Sequence, residues 1–472
     1  MKRKERTPAA SIDSESIRKL LATPTKLHFV GVGGLGMSGL AGLLARGGFK
    51  VTGSEETLSD ESRRVASAGI PVHEGHDSSA LPDELDGVVV AASIDEGNPE
   101  LEAARSRGLP IVRYAEALAA VAAGRESVAV AGTYGKTTTA AMLLLILREA
   151  GLDPGAVIGG IVPQLRAGDN RDGKGRPFVM EASEHAASFE LMRPRHAIIT
   201  NLGLDNPESF GSADALRQAF RRFAGAIDPA GLLVTTSALA RDLDLRGASK
   251  CRVLGIGPRR SDVRIRVDDD GFLVLFPDGR RGPRVRLSVP GRHNVINAAM
   301  AAISAQAAFD VDVEVVRSAL EGFRGVARRF EYRLEGESAC VIDDSALHPT
   351  EIEATLLAAR HLFPHRRLVA VFQPRGHESS LRSHSGLLNA LSFADEVHLL
   401  RERQAKVPLS QETTAFRLSE SLTRLGFRSS LSEDPASCVD AVFRQMRRGD
   451  VTVVMGTGEV GAVSHDLARL LR

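Results

Sequence analysis

Short apolar runs rich in β-branched residues recur along the chain with helical segments between them, and this alternation limits the possible fold more than any other feature. "KLHFVGVGG", "GVVVAAS", "SVAVAGT", "HAIITN", "GLLVTT", "CVIDD", "RRLVAVFQP" and "DVTVVMGTG" read as strands; "LRQAFRRFAGAI" and "TEIEATLLAARHLF" read as helices. Strands that are apolar on both faces belong in parallel sheets covered by helices, an α/β class. At roughly 150 residues per domain, the 472 residues suggest two to four domains, with three as the working expectation. No long low-complexity tract or internal repeat marks the joins. The pattern places them near Gly124 in "VAAGRES" and near Val326 in "GFRGVARRF", giving domains over 1–124, 125–326 and 327–472.

Lys and Arg total 60 against 59 for Asp and Glu, a net charge of +1. No global field therefore draws the chain to nucleic acid or to an anionic membrane, and any anion binding must be local. The apolar run "AAMLLLIL" is far shorter than the roughly 18 residues of a spanning helix, and "MKRKERTPAAS" leads into no apolar segment of a signal peptide. A soluble, cytoplasmic protein with a loose N-terminal tail is expected. Cys251, Cys340 and Cys438 are widely spaced and form no CxxC pair, so buried, inert thiols are expected rather than disulfides or a zinc site.

Two glycine loops follow strands. In "HFVGVGGLGMSGLAGLLARGGFKVTGSE", Gly31, Gly33 and Gly36 make G-x-G-x-x-G between strand and helix, with Glu55 closing the next strand. Such glycines let a pyrophosphate approach a helix N-terminus, and an acid at that distance can meet a ribose hydroxyl. Tight strand-to-helix packing with no ligand is the competing explanation. In "AGTYGKTTT", Gly132 and Gly135 open the backbone, Lys136 offers a point charge for β- and γ-phosphates, and Thr137 offers a magnesium ligand. Val130 stands where a full G-x-x-x-x-G-K-[ST] has its first glycine, so this is a shortened form of that loop. Two phosphate sites in separate domains imply two phosphate-bearing ligands, one of them ATP, which disfavours a plain dehydrogenase.

These loops, together with "VVVAASIDEGNPE", "GLDPGAVIGG", "AIITN", "VPGRHNVINA", "DDSALHPTEIEATLLAAR" and "GDVTVVMGTGEV", give the chain over nearly its whole length a resemblance to the Mur ligases, the ATP-dependent amide ligases of peptidoglycan precursor synthesis. The similarity is greatest to the branch that joins L-alanine to UDP-N-acetylmuramate. It implies an N-terminal Rossmann-like domain for the UDP-sugar, a central P-loop ATPase-like domain and a C-terminal Rossmann-like domain. It also implies ATP and Mg2+, an acyl-phosphate intermediate, UDP-N-acetylmuramate and an amino acid as partners, and a monomer or homodimer.

By the same resemblance, Gly132, Thr133, Gly135, Lys136, Thr137 and Thr138 hold the ATP phosphates. His293, Asn294 and Asn297 meet its adenine end, and Arg329 and Asp344 reach it from the C-terminal domain. Lys136, Glu181 and His348 are the catalytic candidates; Thr137, Glu181 and Asn206 are the metal candidates. Glu181 is also readable as a solvated strand-end carboxylate, and an Asn opening a helix as a cap. Gly33, Gly34, Leu35, Gly36, Glu55, His76, Ser93 and Asn98 line the sugar-nucleotide cleft, with His76 also readable as a surface histidine.

Departures from the family pattern cluster at the expected active site. Tyr134 replaces a His in the phosphate loop, and Ser183 and Ala186 stand where Asp is usual. Gly203 replaces a Glu and Asn206 a His. Ser345, Ala346 and Leu347 replace Tyr, Gly and His, while His348, Pro349, Gln373 and Pro374 are kept. The usual His-Arg-Tyr is lost after Gln373, with Arg375 and His377 nearby as substitutes. Three readings stay open: the L-alanine ligase, a ligase for another amine or for a recycled peptide, and a non-catalytic nucleotide-binding relative.

Overall fold

The computed structural model describes residues 13–165, 173–183, 189–203, 210, 212–258, 261–268, 271–275, 279, 281–374, 384–402, 413–456 and 458–472. The expected N-terminal tail and Ala186, Asn206, Arg375 and His377 fall outside them. The chain forms two compact units, Met1–Leu287 with Val295–Phe323, and Ser288–Asn294 with Arg324–Arg472.

In the first unit, β1 (Lys26–Val30), β2 (Lys50–Glu55), β3 (Val72–Glu74), β4 (Gly87–Val90) and β5 (Ile111–Arg113) form a parallel sheet in the order β3-β2-β1-β4-β5. Every residue of β4, and all but the first of β1, is buried, which explains their unbroken apolar character. Helices Leu35–Arg46, Asp60–Ser67 and Pro99–Ser106 link the strands. The order reverses between β1 and β4, so a crevice opens beyond their C-terminal ends, where α/β sheets bind ligands.

A second sheet follows: β6 (Glu126–Ala131), β7 (Gly155–Val157), β8 (Pro177–Glu181), β9 (His196–Ile199), β10 (Leu232–Thr236), β11 (Arg252–Gly257), β12 (Val263–Asp268), β13 (Gly271–Leu275) and β14 (Arg281–Val285). Its nine strands run in the order β14-β13-β12-β11-β10-β9-β6-β8-β7. The expectation of parallel sheets holds from β7 to β12, but β12, β13 and β14 are antiparallel. The reason lies in the pattern: "VRIRVD" alternates charged and apolar residues as a half-solvated strand does.

One apolar cluster runs from Ile17 through Phe29, Leu40 and Leu118 to Phe178, Phe220 and Val253, so these two sheets share a core. Phe189 anchors it, with ring centroids 4.9 Å from Phe220 and 5.3 Å from Phe223. Helix Lys136–Glu149 is buried along most of its length, and helix Val313–Gly322 packs against it.

The second unit has β15 (Glu331–Leu334), β16 (Ala339–Asp344), β17 (Leu368–Gln373), β18 (Glu396–Leu400), β19 (Arg428–Ser432) and β20 (Asp450–Gly456) in the order β15-β16-β20-β17-β18-β19. Only the β15–β16 pairing is antiparallel. Separate apolar clusters pack around it, one containing Ile352, Phe372 and Leu418, the other Val439, Val454 and Leu467.

The three cysteines are buried and free, as expected, and burial pushes their thiols up, Cys340 and Cys438 to about 11. Among the described residues no helix is long and apolar enough to cross a membrane.

Candidate active site

β6 ends at Ala131 and the chain turns into helix Lys136–Glu149 through the expected phosphate loop. Gly132 has φ +130°, and a Cβ there would lie 2.0 Å from Thr200 Oγ1, so no other residue fits without moving the loop. Gly135, at φ +77°, is the helix N-cap and offers no side-chain cap. The first helical N–H groups therefore stay available to an anion, and the helix dipole favours one.

The loop is held from β9. Parallel pairing aligns Ala131 with Ile199, so Thr200 and Asn201 emerge beside the loop. Asn201 Oδ1 accepts from Tyr134 N–H at 2.9 Å, while Asn201 Nδ2 and Thr200 Oγ1 donate to Tyr134 O at 2.9 and 2.7 Å. Gly203 N–H donates to Thr133 Oγ1 at 2.8 Å. Asn297 lies against the loop too: a Cβ on Gly135 would be 2.7 Å from its Oδ1. Thr200 and Asn201 end the "AIITN" run that shares in the resemblance, but the run does not say which loop they hold; the signal for that is their place just after the strand beside β6.

Lys136 Nζ donates to the carbonyls of Gly132 and Thr133 at 2.7 and 3.0 Å, so the loop itself holds the ammonium in place. Glu181 closes β8 opposite Val130. Its carboxylate accepts from Gly159 N–H at 2.6 Å and from Thr137 Oγ1 at 3.2 Å. A carboxylate and a hydroxyl at that separation on one side of a phosphate loop are hard oxygen donors that suit magnesium. Among the described residues no group of three or more His, Cys, Asp or Glu could hold a metal ion. Thr138 is half-buried in the first helical turn.

In the N-terminal glycine loop, Gly31 takes φ +80°, and the Gly31 and Val32 N–H groups donate to Ser54 O at 3.0 Å. Gly33 N–H donates to Glu55 Oε2 at 2.5 Å, which seats the Glu55 carboxylate in the loop. Gly34 caps helix Leu35–Arg46 with no side-chain hydrogen bond, and Leu35 is exposed. Gly36 makes room for Tyr114, since a Cβ would be 2.5 Å from the Tyr114 hydroxyl. Sequence reasoning missed Tyr114, which opens the helix after β5. Burial and then the charge of Glu181 push its hydroxyl well above the ordinary tyrosine range.

Ser93 is exposed. Asn98 is committed as a cap, its Oδ1 accepting from the N–H groups of Glu100 at 2.9 Å and Leu101 at 3.3 Å. His76 is not an ordinary surface histidine: its Nδ1 lies 2.6 Å from the buried carboxylate of Glu100.

In the second unit, Asp344 ends β16 and is buried, accepting from Phe330 N–H and Ala346 N–H at 2.8 Å each. Burial, opposed by the charge of Arg329 and by those N–H groups, pushes its carboxyl up to about 6. Arg329 lies 3.9 Å from Glu351, whose carboxylate accepts from His348 N–H at 3.3 Å. His348 is the N-cap of helix Pro349–Leu362, its Nδ1 accepting from Thr350 N–H at 3.4 Å. Arg329, Asp344 and His348 thus gather around one helix start. Gln373 bridges, donating to Arg401 O and accepting from Val460 N–H, each at 3.0 Å. Asn294 donates to Pro290 O at 2.5 Å, the loop-fixing use open to an Asn at a helix start, and His293 is exposed beside Gly291.

Sequence comparison matches three family descriptions in order: the Mur ligase family catalytic domain over residues 26–126, the Mur ligase middle domain over 130–305, and the Mur ligase glutamate ligase domain over 328–458. A UDP-N-acetylmuramate–L-alanine ligase of Kineococcus radiotolerans is 38% identical, with 94% of this chain and 96% of the relative covered. The crystal structure of the UDP-N-acetylmuramate–alanine ligase of Thermotoga maritima superposes with TM-score 0.81 at 29% identity, covering 95% of this chain and 99% of that one. A murein peptide ligase of Psychrobacter arcticus gives TM-score 0.71 at 27% identity, covering 95% and 98%. With two phosphate-type loops on successive α/β sheets and matches that run nearly end to end, the chain belongs to the Mur ligase family.

Proposed function

We propose that this chain is the ATP-dependent ligase that joins L-alanine to UDP-N-acetylmuramate. The observation that carries it is the similarity to an L-alanine ligase along 94% of the chain, in a protein whose Lys136, Thr137 and Glu181 share one loop mouth. The altered positions Tyr134 and Gly203 contribute their backbone groups to that loop, so replacing the usual side chains leaves its frame standing.

In the reaction, Lys136 exchanges the carbonyls of Gly132 and Thr133 for the β- and γ-phosphates of ATP, and the open helix start takes further phosphate oxygens. The muramyl carboxylate attacks the γ-phosphorus and ADP leaves. The alanine amine then attacks the acyl phosphate, and inorganic phosphate departs as the amide forms. Positioning and charge neutralisation dominate such chemistry. Thr137 and Glu181 would hold magnesium, which neutralises charge on the transferring phosphoryl group. By the family resemblance we assign Arg329 and Asp344 to the nucleotide and His348 to catalysis, and the loop from Gly33 to Gly36 to the sugar nucleotide. We place the functional boundaries near Gly124 and Val326 and the reaction in the cytoplasm, where ATP and UDP-sugars are made.

Lys136→Ala removes the largest protein charge on the phosphates while the loop backbone keeps its ties to Thr200 and Asn201. Phosphate release with magnesium-ATP, UDP-N-acetylmuramate and L-alanine should fall by about a thousandfold or more, with thermal unfolding unchanged. Release at the parent rate would overturn the reading.

A further inference from the structure

At the end of the second sheet opposite the phosphate loop, the first unit holds a recess of about 660 Å³. Glu126, His196 and Arg252 are the first residues of β6, β9 and β11, and parallel pairing from β6 through β9 and β10 to β11 brings those strand starts together. A strand advances about 3.3 Å per residue, so the recess opens roughly the length of β6 away from the loop that follows Ala131. Its size is that of a small-molecule site, and none of the residues assigned to ATP or to the sugar nucleotide lines it.

The recess is cationic. Arg176, Arg195 and Arg252 line it beside one carboxylate, Glu126. Arg176 Nη2 donates to Glu126 Oε1 at 2.8 Å and Arg195 Nη1 to Asp228 Oδ1 at 2.7 Å, while the Arg252 side chain has no ion pair among the described residues. Arg176 and Arg252 are exposed, so their guanidinium groups can turn to a ligand without leaving a buried charge behind. Two buried polar atoms of the lining are left over: Arg195 Nε, 3.6 Å from Glu126 Oε2, and His196 Nδ1 have no hydrogen bond among the described residues. Such orphans cost stability, so a network serving the fold alone gains nothing from them. Burial holds the His196 pKa below the ordinary histidine range despite the pull of Glu126, and Phe309 packs edge-on against the ring at 5.5 Å between centroids.

We propose that this recess binds a small phosphate-bearing anion, apart from the reaction site, with Arg176, Arg195 and Arg252 as the charges that face it. One carboxylate seats one guanidinium fork; three forks around one recess match phosphate, whose oxygens take several. The site stands independently of which amine or sugar nucleotide the ligase uses.

Inorganic pyrophosphate is the probe. Calorimetry on the full chain without magnesium should count one more pyrophosphate per chain in the parent than in Arg176→Ala/Arg252→Ala, with a Kd of about 1 mM or tighter for the site that is lost. Both substituted side chains are exposed at strand starts away from the phosphate loop, so thermal unfolding should stay at the parent value. The parent supplies a second readout: with His196→Gln for assignment, nitrogen NMR should show the His196 ring signals moving as pyrophosphate is added and staying in place in sodium chloride of equal ionic strength. Lys136→Ala disturbs the phosphate loop alone and should leave that response intact. Equal stoichiometry and affinity in the parent and the double variant overturn the proposal. So do His196 signals that ignore pyrophosphate, that follow chloride equally, or that stop responding in Lys136→Ala.

Discussion

Asp344 is a buried carboxyl whose environment raises its pKa. Its carboxyl is raised from 3.8 to about 6, burial outweighing Arg329 and two N–H donors. For an acid with a raised pKa, the stabilising contribution is fully present below the unfolded value and is lost as pH rises through the folded one. The native state should therefore lose up to about 3 kcal/mol between roughly pH 4 and pH 6.5 through this group. Carbon NMR of Asp344, with Asp344→Asn for assignment, should show the titration near 6; a midpoint at or below 4 would contradict the account. Single residues were legible in the sequence to different degrees. Lys136 and Thr137 announce themselves, because a phosphate loop needs those groups at that spacing. Thr200, Asn201, Tyr114 and Glu100 do not, because each acts through a neighbour that is distant in sequence. Asn98, read as a cleft residue, also caps a helix through its Oδ1.

At the scale of elements, long buried strands declared themselves as apolar runs, while the three-residue strands β3, β5 and β7 are too short to show any period. The antiparallel strand β12 was passed over because its apolar residues alternate with charged ones and make no continuous apolar run. The phosphate loop is the element on which the most depends. Gly132→Ala must adopt a backbone angle costing on the order of 1–3 kcal/mol and push a methyl group into Thr200. The tie from Thr200 to Tyr134 should break, the KM for ATP should rise about tenfold or more, and the midpoint of thermal unfolding should fall by several degrees. Steady-state kinetics and calorimetry read both, and an alanine variant with parent values would show that the loop is not held as described.

For the whole molecule, the two first sheets share one core while the second unit has cores of its own. A fragment spanning 324–472 should unfold cooperatively in urea by itself. One ending near Gly124 should not, because Met37, Leu40 and Leu118 lose part of the cluster that buries them. Cooperative unfolding of the shorter N-terminal piece, followed by circular dichroism, would contradict a shared core. The packing of helix Val313–Gly322 on the phosphate-loop helix has a consequence for synthesis on the ribosome. Strands β6 to β14 emerge long before that helix, and until it clears the exit tunnel one flank of Lys136–Glu149 is uncovered. A nascent chain therefore carries a sticky, half-dressed nucleotide loop through more than a third of its translation. A chaperone that holds ribosome-bound chains should engage it during that interval and let go as Phe323 emerges.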